Sequence, residues 1–341
     1  MQILSLFIVP LVGLLLVRLM PDSRKAFWAG MAVSLVSLAD VLVKMISLDP
    51  ASGFQMVVDQ YWVKDLGISF YVGMDGLSMV MVFLTALLVP LIIYSSADRE
   101  IPDYKNLLSL VFFMQAALYG VFVSLDGFLF YVFWELALIP IWFICLLWGG
   151  KDRIKVNMKF FVYTIAGSLF MLLGFIYLYL QNPANNFDIN AFYALNLDTY
   201  QQGWVFWAFF IAFAIKMPIF PFHTWVPDGH SSAPTAASMF LAGISMKLGG
   251  YGCLRMAVTL MPDAAQEYSM WIIGLSAVAI IYGAFATMMQ TDLKYINAYS
   301  SVSHCGFVLL GIGMLTKTAI TGAVLQMVSH GLMTALFFGA I

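Results

Sequence analysis

The stretch Phe209-Phe210-Ile211-Ala212-Phe213-Ala214-Ile215-Lys216-Met217-Pro218-Ile219-Phe220-Pro221 begins as an apolar helix, carries one lysine, and then meets two prolines three residues apart. Each proline removes a backbone donor and breaks helical geometry, and Pro227 and Pro234 follow closely. The helix around Lys216 is therefore expected to be discontinuous, with the break near 216–230. Irregular backbone at membrane depth survives only where it lines a cavity or is buried in protein, and broken helices recur in ion-moving membrane proteins. An ordinary helix end followed by a proline-rich loop is the plainer alternative.

The rest of the chain makes membrane depth the relevant setting. Of 341 residues, 62% are apolar and 10% charged, against roughly half and a quarter in a soluble domain. The mean hydropathy is +0.91. A bilayer core about 30 Å thick needs roughly 20 apolar residues per helix. Runs of that kind lie near 2–20, 26–47, 74–96, 106–123, 127–149, 157–180, 204–219, 234–258, 269–290, 294–315 and 318–341. The fold class expected is all-α, a polytopic transmembrane helix bundle with one discontinuous helix and no soluble domain. Short polar connections such as Pro21-Asp22-Ser23-Arg24-Lys25 make consecutive helices antiparallel neighbours. The longer connections 48–73 and 181–203 are expected to form short elements on the membrane surface. The first run has no basic region ahead of it and no small-residue cleavage site after it, so it reads as a span rather than a signal peptide.

A formal charge of −2 argues against a nucleic-acid surface. Cys145, Cys253 and Cys305 lie in apolar runs without CxxC spacing, which indicates neither disulfides nor a zinc or iron–sulfur site. Cytoplasmic loops retain Lys and Arg. Odd-numbered connections or their flanks hold Arg18, Arg24, Lys25, Arg99, Lys105, Lys151, Arg153, Lys155, Lys159 and Lys294, and even-numbered ones Lys44, Lys64, Arg255 and Lys317. This bias puts the N-terminus outside the cytoplasm, or on the corresponding side of an organelle membrane.

Lys216 and Lys247 are left over, each far from a loop in its apolar run, and Glu135 lies between Phe130-Tyr131-Val132-Phe133-Trp134 and Leu136-Ala137-Leu138-Ile139-Pro140. A charge at the centre of a spanning helix costs at least about 2.5–3.5 kcal/mol on insertion scales, so such residues usually face a wet or paired interior and mark an ion path. A fixed Glu135–Lys216 pair or snorkelling lysines would be structural alternatives. His304 and His330 lie inside late apolar helices beside Ser303 and Ser329, and histidine can pass protons through both ring nitrogens. The set suits proton transfer. His223, Asp228 and His230 could suggest a metal, but the spacing of zinc sites is absent, and helix-capping histidines explain them more simply. Asp75 reads as a helix N-cap.

At this point the residues resemble a known family, the antiporter-like membrane subunits of respiratory complex I, the proton-pumping NADH:quinone oxidoreductase. The resemblance is closest to the chain M group, called chain 4 in mitochondria. It is carried by Ala214-Ile215-Lys216-Met217-Pro218-Ile219-Phe220-Pro221-Phe222-His223-Thr224-Trp225-Val226-Pro227-Asp228-Gly229-His230-Ser231-Ser232-Ala233-Pro234-Thr235, by Phe133-Trp134-Glu135-Leu136, by Asp292-Leu293-Lys294 with Ala298-Tyr299-Ser300-Ser301-Val302-Ser303-His304, and by Ser329-His330-Gly331-Leu332. The resemblance implies a proton relay: Glu135 tunes the pumping lysine Lys216, Lys247 connects onward, and His304 and His330 carry protons further. Lys294, Ser303, Ser329 and His223 are supporting candidates, and Pro218 and Pro221 make the break. It also implies fourteen helices with two inverted five-helix repeats. Here residues 1–105 would hold the first three helices, 106–258 the first repeat, and 259–341 the start of the second. The sequence stops in an apolar run at Phe337-Phe338-Gly339-Ala340-Ile341, which reads as a truncation before the family's second broken helix, the twelfth, and its proton-exit residue.

No dinucleotide fingerprint, Cys cluster or haem-ligand pattern occurs, so no cofactor is expected in this chain. FMN, iron–sulfur clusters and quinone are expected in partner subunits, with the sister chains L and N and the lipid bilayer as neighbours. The membrane implied is the bacterial plasma membrane or the mitochondrial inner membrane. The competing reading is the large subunit of a multi-subunit sodium/proton antiporter, separable by whether quinone-binding or small cation-antiporter subunits are encoded nearby. A solute transporter is weakened by the lack of a second visible helix break, and a bare scaffold by the cost of three buried charges.

Overall fold

The structure, a computed structural model, describes residues 2–97 and 100–341. Arg99, counted among the basic flanks, lies outside the described residues. The chain is a polytopic helical membrane protein. Its helices are α1 (Ser5–Leu19), α2 (Ser23–Ser47), α3 (Gly76–Tyr94), α4 (Tyr104–Val123), α5 (Gly127–Trp148), α6 (Arg153–Gln181), the short α7 (Ile189–Tyr193), α8 (Thr199–Lys216), α9 (Trp225–Ser232), α10 (Thr235–Phe240), α11 (Lys247–Gly252), α12 (Pro262–Met288), α13 (Leu293–Gly313) and α14 (Lys317–Ala340). Two π-helical stretches, Leu241–Ser245 and Cys253–Val258, flank α11, so residues 235–258 form one rod with two wide turns.

All eleven apolar runs fall on helix, with α8 and α9 as the two halves of the interrupted one. Several helices begin before their apolar run: α6 starts at Arg153 and α12 at Pro262, because charged first turns are helical without being hydrophobic. Asp22, Asp75, Asp126, Asp198 and Asp292 each accept backbone N–H groups at a helix start. Such a cap contributes about 1 kcal/mol and satisfies donors that would otherwise be orphaned near lipid. Asp75 is the N-cap its position suggested.

Eight helices among the described residues are long and apolar enough to cross a bilayer. The runs that fall short are α8, the 235–258 rod and α13, which carry Lys216, Lys247 and His304. Polar residues and broken geometry coincide with the residues singled out above.

The 48–73 connection is an antiparallel hairpin, β1 (Gln55–Val63) with β2 (Ile68–Met74), pairing Val58 with Val72 and Tyr61 with Ser69. It adds a small sheet to the all-α expectation. Leu125 N donates to Tyr71 O at 2.8 Å, and Gly127 N donates to Phe187 O at 2.7 Å. Both long connections therefore meet at the α4–α5 corner, at one end of the bundle. Burial pushes the Asp126 carboxyl at that corner up to about 6, against the N–H donors of Leu129 and Ser69 that favour its ionised form.

Two cations counted as loop flanks lie inside the protein. Lys44 is buried, pairs with Asp40 and donates to Ser5 Oγ at 2.7 Å. Arg255 is buried and pairs with Asp75 at 2.6 Å. Paired interior charges say little about orientation, so only Lys64 and Lys317 remain as exposed charges on the even side.

Candidate functional site

Lys216 is the last residue of α8 and is 3% exposed. Its helix ends there because Pro218 cannot continue it, so the lysine stands at a helix end that is nonetheless inside the protein. Met217 N still bonds Phe213 O at 2.8 Å and Ile219 N bonds Ala214 O at 2.9 Å, after which the chain turns through 217–224 into α9. Pro227 sits in the first turn of α9 and Pro234 at the N-cap of α10, where a missing N–H costs nothing. The break is thus made by Pro218 and Pro221, while Pro227 and Pro234 start helices.

The Lys216 ammonium lies 5.6 Å from the Trp134 ring centre and 5.9 Å from that of Phe160. Among the described residues no carboxylate comes within 4.0 Å of it, so a fixed Glu135–Lys216 ion pair is not formed. Glu135 is half-buried, has one oxygen without a hydrogen-bond partner, and interacts electrostatically with Lys216 and with nearby Ser168. The two charges sense each other across a gap that a small movement would change.

Lys247 is held differently. It is 2% exposed and opens α11 directly after the first π stretch, where its ammonium donates to the Ala242 carbonyl. The ammonium also lies 2.9 Å from His330 Nδ1, and His330 Nε2 lies 3.2 Å from Ser301 Oγ. The His304 ring stacks on His330 at 5.1 Å and bonds Gln326 at 2.9 Å. Lys247, His330 and His304 are therefore brought together from three helices. Gly331 allows it: a Cβ there would come 2.6 Å from the Gly243 carbonyl, so only glycine lets α14 carry His330 up to the π stretch. A similar approach at Gly249, whose Cβ would meet Phe213 O at 2.5 Å, seats α11 against α8.

The supporting candidates divide. Lys294 donates to Ala233 O at 3.0 Å, a cation on the last carbonyls of α9. Ser303 bonds Ile280 O at 3.0 Å, tying α13 to α12, and exposed Ser329 bonds only within its own helix. Neither serine reaches the histidines; Ser301 does. The helical phase could have indicated this, since 301 and 304 are three apart and share a face.

His223 and His230 cap no helix. His223 packs 5.6 Å from Phe220 and 4.8 Å from Tyr282 with Nδ1 unpaired. His230 is inside α9, fully buried, stacked on Phe338 at 4.6 Å, with neither ring nitrogen paired. It lies within electrostatic range of Lys247, Lys294 and His330, a placement that the helix-capping reading of its sequence did not foresee. Asp228, on the same short helix, points elsewhere: it accepts from Lys159 at 2.7 Å and from Tyr295 at 3.3 Å, strapping α9 to α6 and α13. Among the described residues no group of three His, Cys, Asp or Glu side chains could hold a metal ion.

Residues 124–341 match the transmembrane family described as NADH:quinone oxidoreductase/Mrp antiporter. The chain is 39% identical over 345 residues to subunit M of NADH-quinone oxidoreductase from Rickettsia conorii, with 98% of this chain and 69% of that protein covered. It is 38% identical over 340 residues to an NAD(P)H-quinone oxidoreductase chain 4 of a Picosynechococcus species, covering 98% of this chain and 62% of the relative. The fold is similar to a chain of respiratory complex I from Thermus thermophilus, with a TM-score of 0.90 and 28% identity over 99% of this chain and 70% of that one. A chain of the Mrp complex from a Dietzia species shares the fold at a TM-score of 0.85 with 22% identity, covering 99% of this chain and 36% of the other. The chain spans roughly two thirds of the length of these curated relatives. With its broken helix, its buried lysines and its near full-length likeness to subunit M proteins, the chain belongs to the NADH:quinone oxidoreductase/Mrp antiporter transmembrane family.

Proposed function

We propose that this chain is a proton-translocating module in the membrane arm of an NADH:quinone oxidoreductase. The observation that carries the reading is the continuous contact from Lys247 through His330 to Ser301, 2.9 and 3.2 Å long, buried beside a helix broken at Lys216. Ammonium, imidazole and hydroxyl in series can each give and take a proton. Glu135, Lys216, Lys247, His330 and His304 form the relay, with His230 in electrostatic range of Lys247 and His330. Buried polar atoms without a protein partner, including Glu135 Oε1, Ser245 Oγ and Asn297 Nδ2, are groups that water ordinarily satisfies, and they are the steps at which water would join the relay.

Redox chemistry belongs to partner subunits, which would hold FMN, iron–sulfur clusters and the quinone site. A partner's movement changes the Glu135–Lys216 separation, which changes the lysine's hold on its proton and drives it toward Lys247 and the histidines. Residues 106–258 and those from 259 onward are the first repeat and the start of its inverted counterpart. The subunit would sit beside sister chains L and N in the bacterial plasma membrane, with the mitochondrial inner membrane as the organellar counterpart.

The test is NADH-driven proton uptake by the assembled complex in proteoliposomes after Lys216→Ala or Glu135→Ala. Uptake per quinone reduced should fall in both, and normal pumping in both variants would overturn the reading.

A further inference from the structure

At the hairpin end of the bundle, Lys247, Tyr251 and Arg255 follow one another at four-residue spacing and share a face of the 235–258 rod. The Tyr251 hydroxyl donates to Phe122 O at 2.8 Å, lies 3.1 Å from Ser78 Oγ and accepts from Arg255 Nε at 3.4 Å. The guanidinium goes on to donate to Asp75 at 2.6 Å and to Ser78 at 3.3 Å. Tyr251 and Ser78 are buried, whereas the Asp75 side chain is 22% exposed. A file of polar groups therefore runs from the surface inward to the Tyr251 hydroxyl, on a residue four positions along the rod from Lys247.

Without its arginine this file would be a proton wire. Serine and tyrosine hydroxyls both donate and accept, and a carboxylate at the mouth would gather protons. Arginine has five donors and no acceptor, and it does not release its charge. A fixed cation in a narrow polar passage is the device by which selective pores exclude protons and cations. The guanidinium is held in place on several sides: Phe54 from the hairpin connection covers it at 5.0 Å, the Tyr251 ring lies at 5.4 Å, and Asp75 pins its end. Burial raises the Asp75 carboxyl, and the hydrogen bond and charge of Arg255 outweigh that and hold it below its ordinary range. The counter-ion thus stays charged and the arginine stays anchored.

We propose that Arg255 is an electrostatic seal that isolates Lys247 from the aqueous face on the hairpin side, so that protons on the relay cannot leak past Tyr251. The inference rests on the reading of Lys247 as a proton carrier. In the assembled complex reconstituted into proteoliposomes, a pH gradient is imposed in the absence of NADH and its decay is followed with an entrapped pH dye. Arg255→Met should speed the decay on the order of tenfold. Adding Tyr251→Phe should return it toward the unaltered rate, because a hydroxyl step is gone. Asp75→Asn, in which Phe54, Tyr251 and the amide oxygen still hold the guanidinium in the path, should remain tight. An Arg255→Met complex as tight as the unaltered one, a leak that persists with Tyr251→Phe, or an equal leak in Asp75→Asn, which would mean a loosened helix end, each overturns the seal. Should Arg255→Met not assemble, Arg255→Gln is read by the same criteria. Passive decay involves no turnover, so its result is separable from the driven pumping that tests the relay.

Discussion

The two buried lysines are held in opposite ways. Lys216 ends a broken helix, faces the rings of Trp134 and Phe160, and has no carboxylate within reach of an ion pair among the described residues. Lys247 sits between two π stretches with its ammonium hydrogen-bonded to the Ala242 carbonyl and to His330. An ammonium stabilised by ring faces and a distant carboxylate keeps its proton by long-range terms that change with small displacements. One held by direct hydrogen bonds changes only when its partners do. Under the proposed function, the difference would give Lys216 the responsive role and Lys247 the role of a fixed relay point.

Exchanging each lysine for arginine separates these roles most sharply. Arginine cannot be deprotonated in proteins, so both variants should lose NADH-driven proton uptake by more than about tenfold. Their stabilities should diverge. A guanidinium stacks well on Trp134 and Phe160, so Lys216→Arg should leave thermal unfolding of the complex nearly unchanged. Lys247 is 2% exposed and hydrogen-bonded to Ala242 O and His330 Nδ1, so the bulkier guanidinium of Lys247→Arg should displace those partners and lower the unfolding temperature clearly. Equal stability in the two variants would erase the contrast.

The next effect comes from the approach that brings His330 to Lys247. Gly331→Ala puts a Cβ 2.6 Å from the Gly243 carbonyl, which must push α14 away from the π stretch. Overpacking of this kind costs about 1–3 kcal/mol, and the displaced His330 should slow proton uptake while Lys216 is untouched. Unchanged unfolding and uptake would show that the contact yields freely. His230→Phe should act in the opposite direction on stability. It keeps the stack on Phe338 and removes two unpaired buried nitrogens, for which about 1–3 kcal/mol is the usual penalty. Unfolding temperature should rise and pumping should fall; pumping at the unaltered rate would remove His230 from the relay.

Much of this arrangement is legible in the sequence, for a physical reason. Glu135, Lys216 and Lys247 are conspicuous because each stands in an apolar run where a charge is costly, and Pro218 announces the break beside Lys216. His230 reads in the sequence as a loop histidine capping a helix because it lies in the stretch Trp225-Val226-Pro227-Asp228-Gly229-His230, whose proline, glycine and aspartate suggest an exposed loop. Folding turns it into α9 and buries it against Phe338 from the last helix, a contact over a hundred residues away in the chain. The π stretches around Lys247 have no local signal either, since Leu241-Ala242-Gly243-Ile244-Ser245 would serve equally well as regular α-helix. The same non-local packing turned Arg255 from an apparent loop charge into the partner of Asp75, 180 residues earlier.

The smallest effect sharpens the comparison at its far end, where two serines differ only in which way they face. Ser329 adjoins His330 in sequence, yet it is exposed and bonds only Gln326 in its own helix. Ser301 is distant in sequence, fully buried, and lies 3.2 Å from His330 Nε2. Ser329→Ala should therefore leave unfolding within about 0.5 kcal/mol and proton uptake unaltered. Ser301→Ala removes the hydroxyl that meets the imidazole on the side away from Lys247, so uptake should slow several-fold with only a modest change in stability. Uptake measured side by side in the two variants decides the matter: equal slowing, or slowing in Ser329→Ala alone, would mean that protons leave His330 by the exposed side of α14 rather than through α13.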